Sequence, residues 1–486
     1  MVWPAGTVEP LAGVDSAWLR MDEPSNLMVI NGVLVLERPI TRDELAAVVD
    51  ERLLSIPRFR QRVVCGNRGA RPCWEDDPHF DLDQHVTRCR LGPPGGRRAL
   101  QTVVSRLMGN RFDPDRPPWH FHLIEGYEDR SVVMVRLHHC LGDGLALMMV
   151  LLSLTEPVAA PADPVAGSDG NPFRDLFSGC CDLVRVRAAA EALMPDGMRL
   201  MLKPVETLAR TGRLVRGVAA TTALGRLALR PPDPVTRFKG ALVPEKRAAW
   251  SDAVPLDEIR GVAHALGATI NDVVLTAVTG GLRRYLEAHD DPVETRLAFR
   301  AAVPVNLRPL GSMDRLGNRF GLVFLSMPVG IADPLDRLAE IRRRMRSLRT
   351  SAEPLVTFNI LRLLGRVPLA LQRAVVTLLA AKTTAVMTNV PGPRTPLSLA
   401  GRTIRDLFFW VPQAGRVGIG ISIMSYAGGV RVGIGTDAGL VPDPEVIVEG
   451  FEDELATLMR CGHGLDASWL WGAEKGRKAV SWVLPD

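Results

Sequence analysis

The stretch from Ser131 to Leu154 constrains the fold of this chain more than any other. Ser131–Leu137 (SVVMVRL) alternates and β-branches as a strand does, and the apolar run Leu145–Leu154 reads as a helix. Between them stands His138-His139-Cys140-Leu141-Gly142-Asp143-Gly144. Successive side chains on a strand point to opposite faces, so a strand end aims one imidazole at a cavity and its neighbour away from it. Asp143, in the tight turn that follows, can hold the loop by a salt bridge or by bonds to backbone N–H groups. Gly144 lets a substrate or another backbone approach closely.

This strand-to-helix unit is one of several. Met28–Leu36 (MVINGVLVL) is β-rich, and Thr41 and Glu44 have capping-box spacing ahead of the helical period Leu45–Leu54. In the second half, Asp257–Gly267, Asn271–Leu286 and Asp333–Arg349 read as helices, the last with a strongly basic face. Arg296–Val305, Val417–Ser425 and Val430–Gly435 read as strands, the last two joined by a turn at Ala427-Gly428-Gly429. Proline-rich segments, Thr155–Pro172 and Pro231–Pro234, enclose Phe173–Arg230, whose apolar helical stretches are studded with arginine. That region reads equally as a membrane-surface segment or as a solvated connector. A chain of 486 residues exceeds what one hydrophobic core sustains. The expected organisation is an α/β chain with an N-terminal domain over 1–160, a basic helical linker over 161–240, a second domain over 241–462 and a Trp-rich tail over 463–486.

Composition removes several function classes. Aromatic residues make up only 5%, which argues against stacking platforms for nucleic acid. Only six of the 59 basic residues are lysine; such a bias follows genome composition, although guanidinium groups also suit phosphate. The seven cysteines form no CxxC pair, which fits a reducing compartment and neither a disulfide frame nor a zinc site. No basic n-region precedes an apolar run at the start, so no signal peptide is expected. The longest apolar candidate for a span, Val367–Val390, is broken by Arg373 and Lys382. The expected location is cytoplasmic, with peripheral attachment at the inner face of the plasma membrane as a further expectation.

The chemistry rests on the histidine pair. Neutral imidazole is the side chain best suited to taking a proton from an alcohol near neutral pH. A structural role is the ordinary reading of a bare His-His pair, but the Asp-Gly offset after a strand favours catalysis. Metal binding is disfavoured, because adjacent strand side chains diverge and no third ligand is evident. No cofactor is expected. Cys140 beside His139 invites a nucleophile reading that is the weaker one.

With these residues the chain resembles the HHxxxDG acyltransferases, which include chloramphenicol acetyltransferase and the condensation domains of peptide synthetases. More narrowly, it resembles the bacterial wax ester synthase/diacylglycerol acyltransferase family, from about Leu11 to Leu458. The resemblance runs through Asp15, Trp18, Glu23 and Met28, then IPRFRQRVV (Ile56–Val64), FDLDQHV (Phe80–Val86) and DRPPWHFHLIEG (Asp115–Gly126). It continues through NDVVL (Asn271–Leu275), VPVNLRP (Val303–Pro309), GNRFG (Gly317–Gly321), TNVPGP (Thr388–Pro393) and SYAGGVRVGIGTD (Ser425–Asp437). Pro118, His120 and Val29 depart from the family pattern, which bears on substrate preference; the Trp-rich tail lies outside it.

The resemblance implies two chloramphenicol-acetyltransferase-like α/β domains facing each other across a central tunnel, joined by a helical linker. It implies transfer of a long-chain acyl group from acyl-CoA, a substrate, to diacylglycerol or a long-chain alcohol. His139 would be the general base, His138 a support for the loop, and Asp143 a structural partner rather than a proton relay. Gly144 and Asn271 would meet substrate, although Asn271 can also be read as a helix cap. Asp272 would support the structure, and Gly392 would make a turn or a channel wall. An acyltransferase for another alcohol and a weakly active lipid-binding protein of the same fold stay open. A condensation domain would need a carrier protein, and no carrier segment is evident.

Overall fold

The computed structural model describes residues 8–65, 71–158, 225, 229–307, 316–349, 351–413 and 415–472. Almost all of the basic region Phe173–Arg230, and the tail past 472, lie outside the described residues.

Two large sheets dominate. The first has the strand order Val86–Arg90, Trp119–Tyr127, Arg130–His138, Val29–Leu36, Arg402–Trp410, Leu397–Leu399, Glu156–Pro157. Val29–Leu36 is buried at every position, as expected of a strand covered on both faces. It pairs antiparallel with Arg130–His138, placing Val29 opposite His138. The predicted capping box is formed: Thr41 and Glu44 satisfy each other's backbone at the start of the helix Arg42–Val48.

The second sheet runs Val254–Pro255, Gly429–Asp437, Ile419–Tyr426, Ala385–Pro391, Phe299–Asn306, Phe320–Met327, with Lys246–Trp250 also on Gly429–Asp437. The predicted hairpin is present as Ile419–Tyr426 and Gly429–Asp437. Ala427 and Gly428 both hold positive φ there (47° and 81°), the twist a two-residue hairpin turn requires. The helices Leu256–Ala265 and Ile270–Ala288 supply the core beneath this sheet. Among the described residues no single helix is long and apolar enough to cross a membrane. These two helices pass that test only together, across a 96° bend, and Val273, Val274, Ala277 and Leu282 show why: their apolar surface is core. Val367–Val390 divides into the helix Leu369–Ala381 and the strand Ala385–Pro391.

Chain order and spatial order part at one place. Leu397–Leu399 and Arg402–Trp410 follow the second-half strands in sequence, yet they sit in the first sheet, with Trp410 opposite Asn31. Leu407, Phe408, Phe409 and Trp410 are all buried, so this strand needs cover on both faces. Phe408 stacks on Trp250 at 4.7 Å, in a core shared with Val33, Val35 and Met134. A second tie is Lys246, whose ammonium donates to Asp437 (2.8 Å) and to the carbonyl of Ser25 (2.6 Å). Both charged side chains are buried, so removing either partner would strand the other, typically at about 3–5 kcal/mol.

Candidate active site

The cavity lies between the two sheets. From the first sheet come Ile30, Gly32, Val135, Leu137 and Phe409; from the second come Val305, Asn306, Phe320, Leu322, Thr388 and Asn389. It encloses about 1350 Å³ of empty space, its open mouth included. The lining is mostly apolar, as is usual for small-molecule sites.

The strand period decides what the two histidines face. Val135, Leu137 and His139 line the cavity, whereas Arg136 and His138 do not. His138 accepts the Cys140 backbone N–H at Nδ1 (3.1 Å). Its Nε2 stands 3.5 Å from the Asp22 carboxylate, which accepts the Met28 backbone N–H at 2.7 Å. Met28 in turn accepts the His139 backbone N–H at 2.8 Å. His138 thus sits in the frame that holds its neighbour.

The His139 ring stacks on Trp18 with centroids 4.3 Å apart and 16° between planes, and Phe320 lies 5.7 Å away. Burial disfavours its charged form and pushes its pKa down to about 4, against the opposing pull of its own carbonyl and of Asp143. The imidazole is therefore neutral at physiological pH and able to accept a proton. Cys140 is packed in the core of the first sheet and does not line the cavity, so the nucleophile reading has no geometry to support it.

Asp143 caps the helix Gly144–Ser153 by accepting the Ala146 backbone N–H (2.8 Å), and its other oxygen accepts the Arg319 backbone N–H (2.9 Å). The loop is further tied where Gly317 donates to the Leu141 carbonyl (3.2 Å). The Asn318 amide donates both to the His139 carbonyl (2.7 Å) and to Asp15 (2.8 Å). The GNRFG segment is therefore the clasp that closes the second half onto the histidine loop.

Asp15 is buried within that clasp. Desolvation raises its pKa to about 6, although the Asn318 bonds pull the other way. Between the reference value of 3.8 and about 6 the unfolded chain ionises while the folded carboxyl keeps its proton, so stability falls as pH rises through that window. Asp15→Asn keeps an acceptor for Asn318 and removes the ionisation. It is expected to stabilise the protein at pH 8 on the order of 2–3 kcal/mol, with the gain shrinking toward pH ~4, as measured by urea unfolding. Equal gains at both pH values would refute the assignment.

Gly144 lines the cavity, and a methyl group built on it would meet no atom within 4 Å. Gly144→Val is therefore expected to leave the melting temperature nearly unchanged while raising KM for long-chain acyl substrates about tenfold or more, on the scale of a misplaced substrate. An unchanged KM would show that substrate does not approach this residue.

Asn271 is placed one step behind the cavity. It does not line it; its side-chain oxygen accepts from the Asn389 amide at 2.7 Å, and Asn389 does line it. The cap of its helix is Thr269, in a capping box with Asp272, which corrects the cap reading of Asn271 and accounts for Asp272. Gly392 does not line the cavity: a side chain there would lie 2.4 Å from the Ser425 carbonyl oxygen, so close backbone packing demands glycine. Pro118, His120 and Val29 do not line it either, so their departure from the family pattern lies off the cavity wall. Pro118 instead accepts the His138 backbone N–H at 3.0 Å.

Residue-level reading missed Trp18, Asn306, Asn318 and Asn389 as cavity or clasp residues, although each lies in a family-like segment. A signal was present: asparagine is disfavoured in strands, yet Asn306 and Asn389 each sit in an apolar β-run. Among the described residues no group of three His, Cys, Asp or Glu side chains is arranged to hold a metal.

Two family models match the chain: the wax ester synthase/diacylglycerol acyltransferase catalytic domain over residues 11–274, and the C-terminal domain of that family over 316–459. A Mycobacterium tuberculosis chain named "Probable diacylglycerol O-acyltransferase" is 28% identical over 469 residues, covering 92% of this chain and 95% of the relative. The fold is similar to the wax ester synthase/diacylglycerol acyltransferase of Marinobacter aquaeolei VT8 (TM-score 0.66, 22% identity, 94% of this chain and 100% of that one). It is also similar to the first condensation domain of the calcium-dependent antibiotic synthetase (TM-score 0.56, 17% identity, 93% and 96%). Fold and family together define an acyl-CoA-dependent O-acyltransferase. Within that class, the chain belongs to the wax ester synthase/diacylglycerol acyltransferase family.

Proposed function

We propose that this enzyme moves a long-chain fatty acyl group from acyl-CoA to diacylglycerol, or to a long-chain alcohol, with His139 as the general base. The observation that carries the reading is a neutral imidazole on the wall of an apolar cavity between two sheets. The acceptor hydroxyl gives its proton to His139 as its oxygen attacks the thioester carbonyl carbon. The tetrahedral intermediate then collapses, the C–S bond breaks, and the leaving CoA sulfur takes the proton from the imidazolium. Ester and free CoA result, with no acyl-enzyme and no cofactor. Gly144 lies along the bound substrate, and Asn271 acts through Asn389, which lines the cavity.

Diacylglycerol is the acceptor favoured by the name of the mycobacterial relative, and the name of the Marinobacter structure joins wax ester synthesis to it. Free acyl-CoA is the donor, without a carrier protein. The place of work is the cytoplasm, peripherally at the inner face of the plasma membrane or on a lipid droplet, where such acceptors reside. The test is CoA release from palmitoyl-CoA with diacylglycerol, hexadecanol or a short soluble alcohol offered in turn. Acceptor-dependent release ranks the acceptors. No release with any of them would favour a lipid-binding protein of this fold.

A further inference from the structure

From Pro354 to Arg405 the chain contains no aspartate or glutamate, but six arginines and a lysine. Two helices run through this stretch, Leu369–Ala381 and, past its buried acidic first residue, Glu353–Leu364. Their inner faces pack with Val14, Ala17, Trp18 and Phe320 in one apolar cluster, and Trp18 and Phe320 are also walls of the cavity.

Their outer faces are unusual. Leu363, Leu369, Leu371 and Leu378 are between 41% and 55% exposed. Leu371, Ala374 and Leu378 recur at the spacing of one helical face, and the only charged residue of Leu369–Ala381 is Arg373. A helix on the surface of a globular protein normally turns polar side chains outward. Single exposed leucines are ordinary, whereas several on adjoining helices make a patch that marks an interaction surface. Exposed Arg362, Arg366 and Arg373 stand on these helices or between them, and no carboxylate of the stretch offsets them.

We propose that this helix pair docks the enzyme on an anionic phospholipid bilayer, with the leucines among the acyl chains and the arginines on headgroup phosphates. An apolar helical face with a basic rim is the chemistry of interfacial binding. The same charge opposes a second copy of the chain as occupant, since pairing the patch with itself would bring like-charged guanidinium groups together. Docking here sets the bilayer against the outer side of the Trp18–Phe320 wall, beside the cavity that receives a lipid alcohol. The inference rests on the lipid-acceptor reading above, and it names a surface apart from the Phe173–Arg230 region.

The test uses the full chain and vesicles of phosphatidylcholine with or without phosphatidylglycerol, in sedimentation without substrate. Wild type is expected to prefer the anionic vesicles. Leu371→Glu/Leu378→Glu and Arg366→Glu/Arg373→Glu should each bind about tenfold more weakly or worse. Both variants should keep wild-type CoA release with a short-chain acyl-CoA and a soluble alcohol. Undiminished vesicle binding by both variants, or no anionic preference in wild type, would overturn the proposal. A variant that changes oligomeric state while vesicle binding holds would assign the face to a second copy. A lower melting temperature with vesicle binding intact would assign it to another part of the chain. Failure of the catalytic reading shows separately, as absent CoA release in wild type, and leaves the vesicle result standing.

Discussion

His139→Ala is expected to lower acceptor-dependent CoA release by about 10²–10⁴-fold, the usual contribution of a positioned general base. The residue directly follows a strand whose register is held by backbone pairing on both sides, so the loop should keep its course without the ring. What is lost is the proton acceptor and the stacking contact with Trp18. Activity left in the variant would come from holding donor and acceptor together, which is worth several orders of magnitude by itself. The pH profile supplies a second check. An imidazole at its ordinary value would lose activity below about 6.5. Burial moves His139 down to about 4, so the base stays unprotonated, and kcat/KM should hold level down to pH ~5 before it falls. A wild-type acid limb near 6.5 would show that burial does not shift the base; a variant with undiminished release would remove His139 from the chemistry.

Asp143→Ala is expected to destabilise the protein on the order of 2–4 kcal/mol and to reduce activity with it. Two backbone N–H groups, the buried one of Ala146 and the part-buried one of Arg319, lose their acceptor at once. The first loss frees the start of the helix Gly144–Ser153; the second loosens the clasp that holds the histidine loop to the second half. Asp143→Asn keeps one acceptor oxygen and should fall between wild type and alanine in both properties. Urea unfolding and CoA release measured together separate the roles. A proton relay predicts that asparagine abolishes activity at full stability; a structural aspartate predicts that activity follows stability.

Particular residues show how much of this was legible beforehand. The capping box at Thr41 and Glu44, the strand before His138 and the helix after Gly144 are local, because they depend on side-chain period and on groups three residues apart. The same period separates the two imidazoles, one to the cavity and one to the frame. The bonds of Asp143 to backbone N–H groups were legible for a related reason, since an aspartate in a tight turn can accept from nearby amides. Asn271 shows the limit. Its sequence context allows a cap or a substrate contact, and only the opposing strand reveals Asn389 as its partner.

What the sequence by itself determined, then, is the α/β alternation, the histidine pair at a strand end and, through many short segments in order, the family. These follow from backbone periodicity and from residues close in the chain. Only the tertiary structure decided that Arg402–Trp410 joins the first sheet, that Asn318 binds both Asp15 and the His139 carbonyl, and that Trp18 stacks on His139. Those contacts join residues more than a hundred positions apart. Strand pairing and desolvation depend on what the whole chain brings alongside, so no local pattern encodes them.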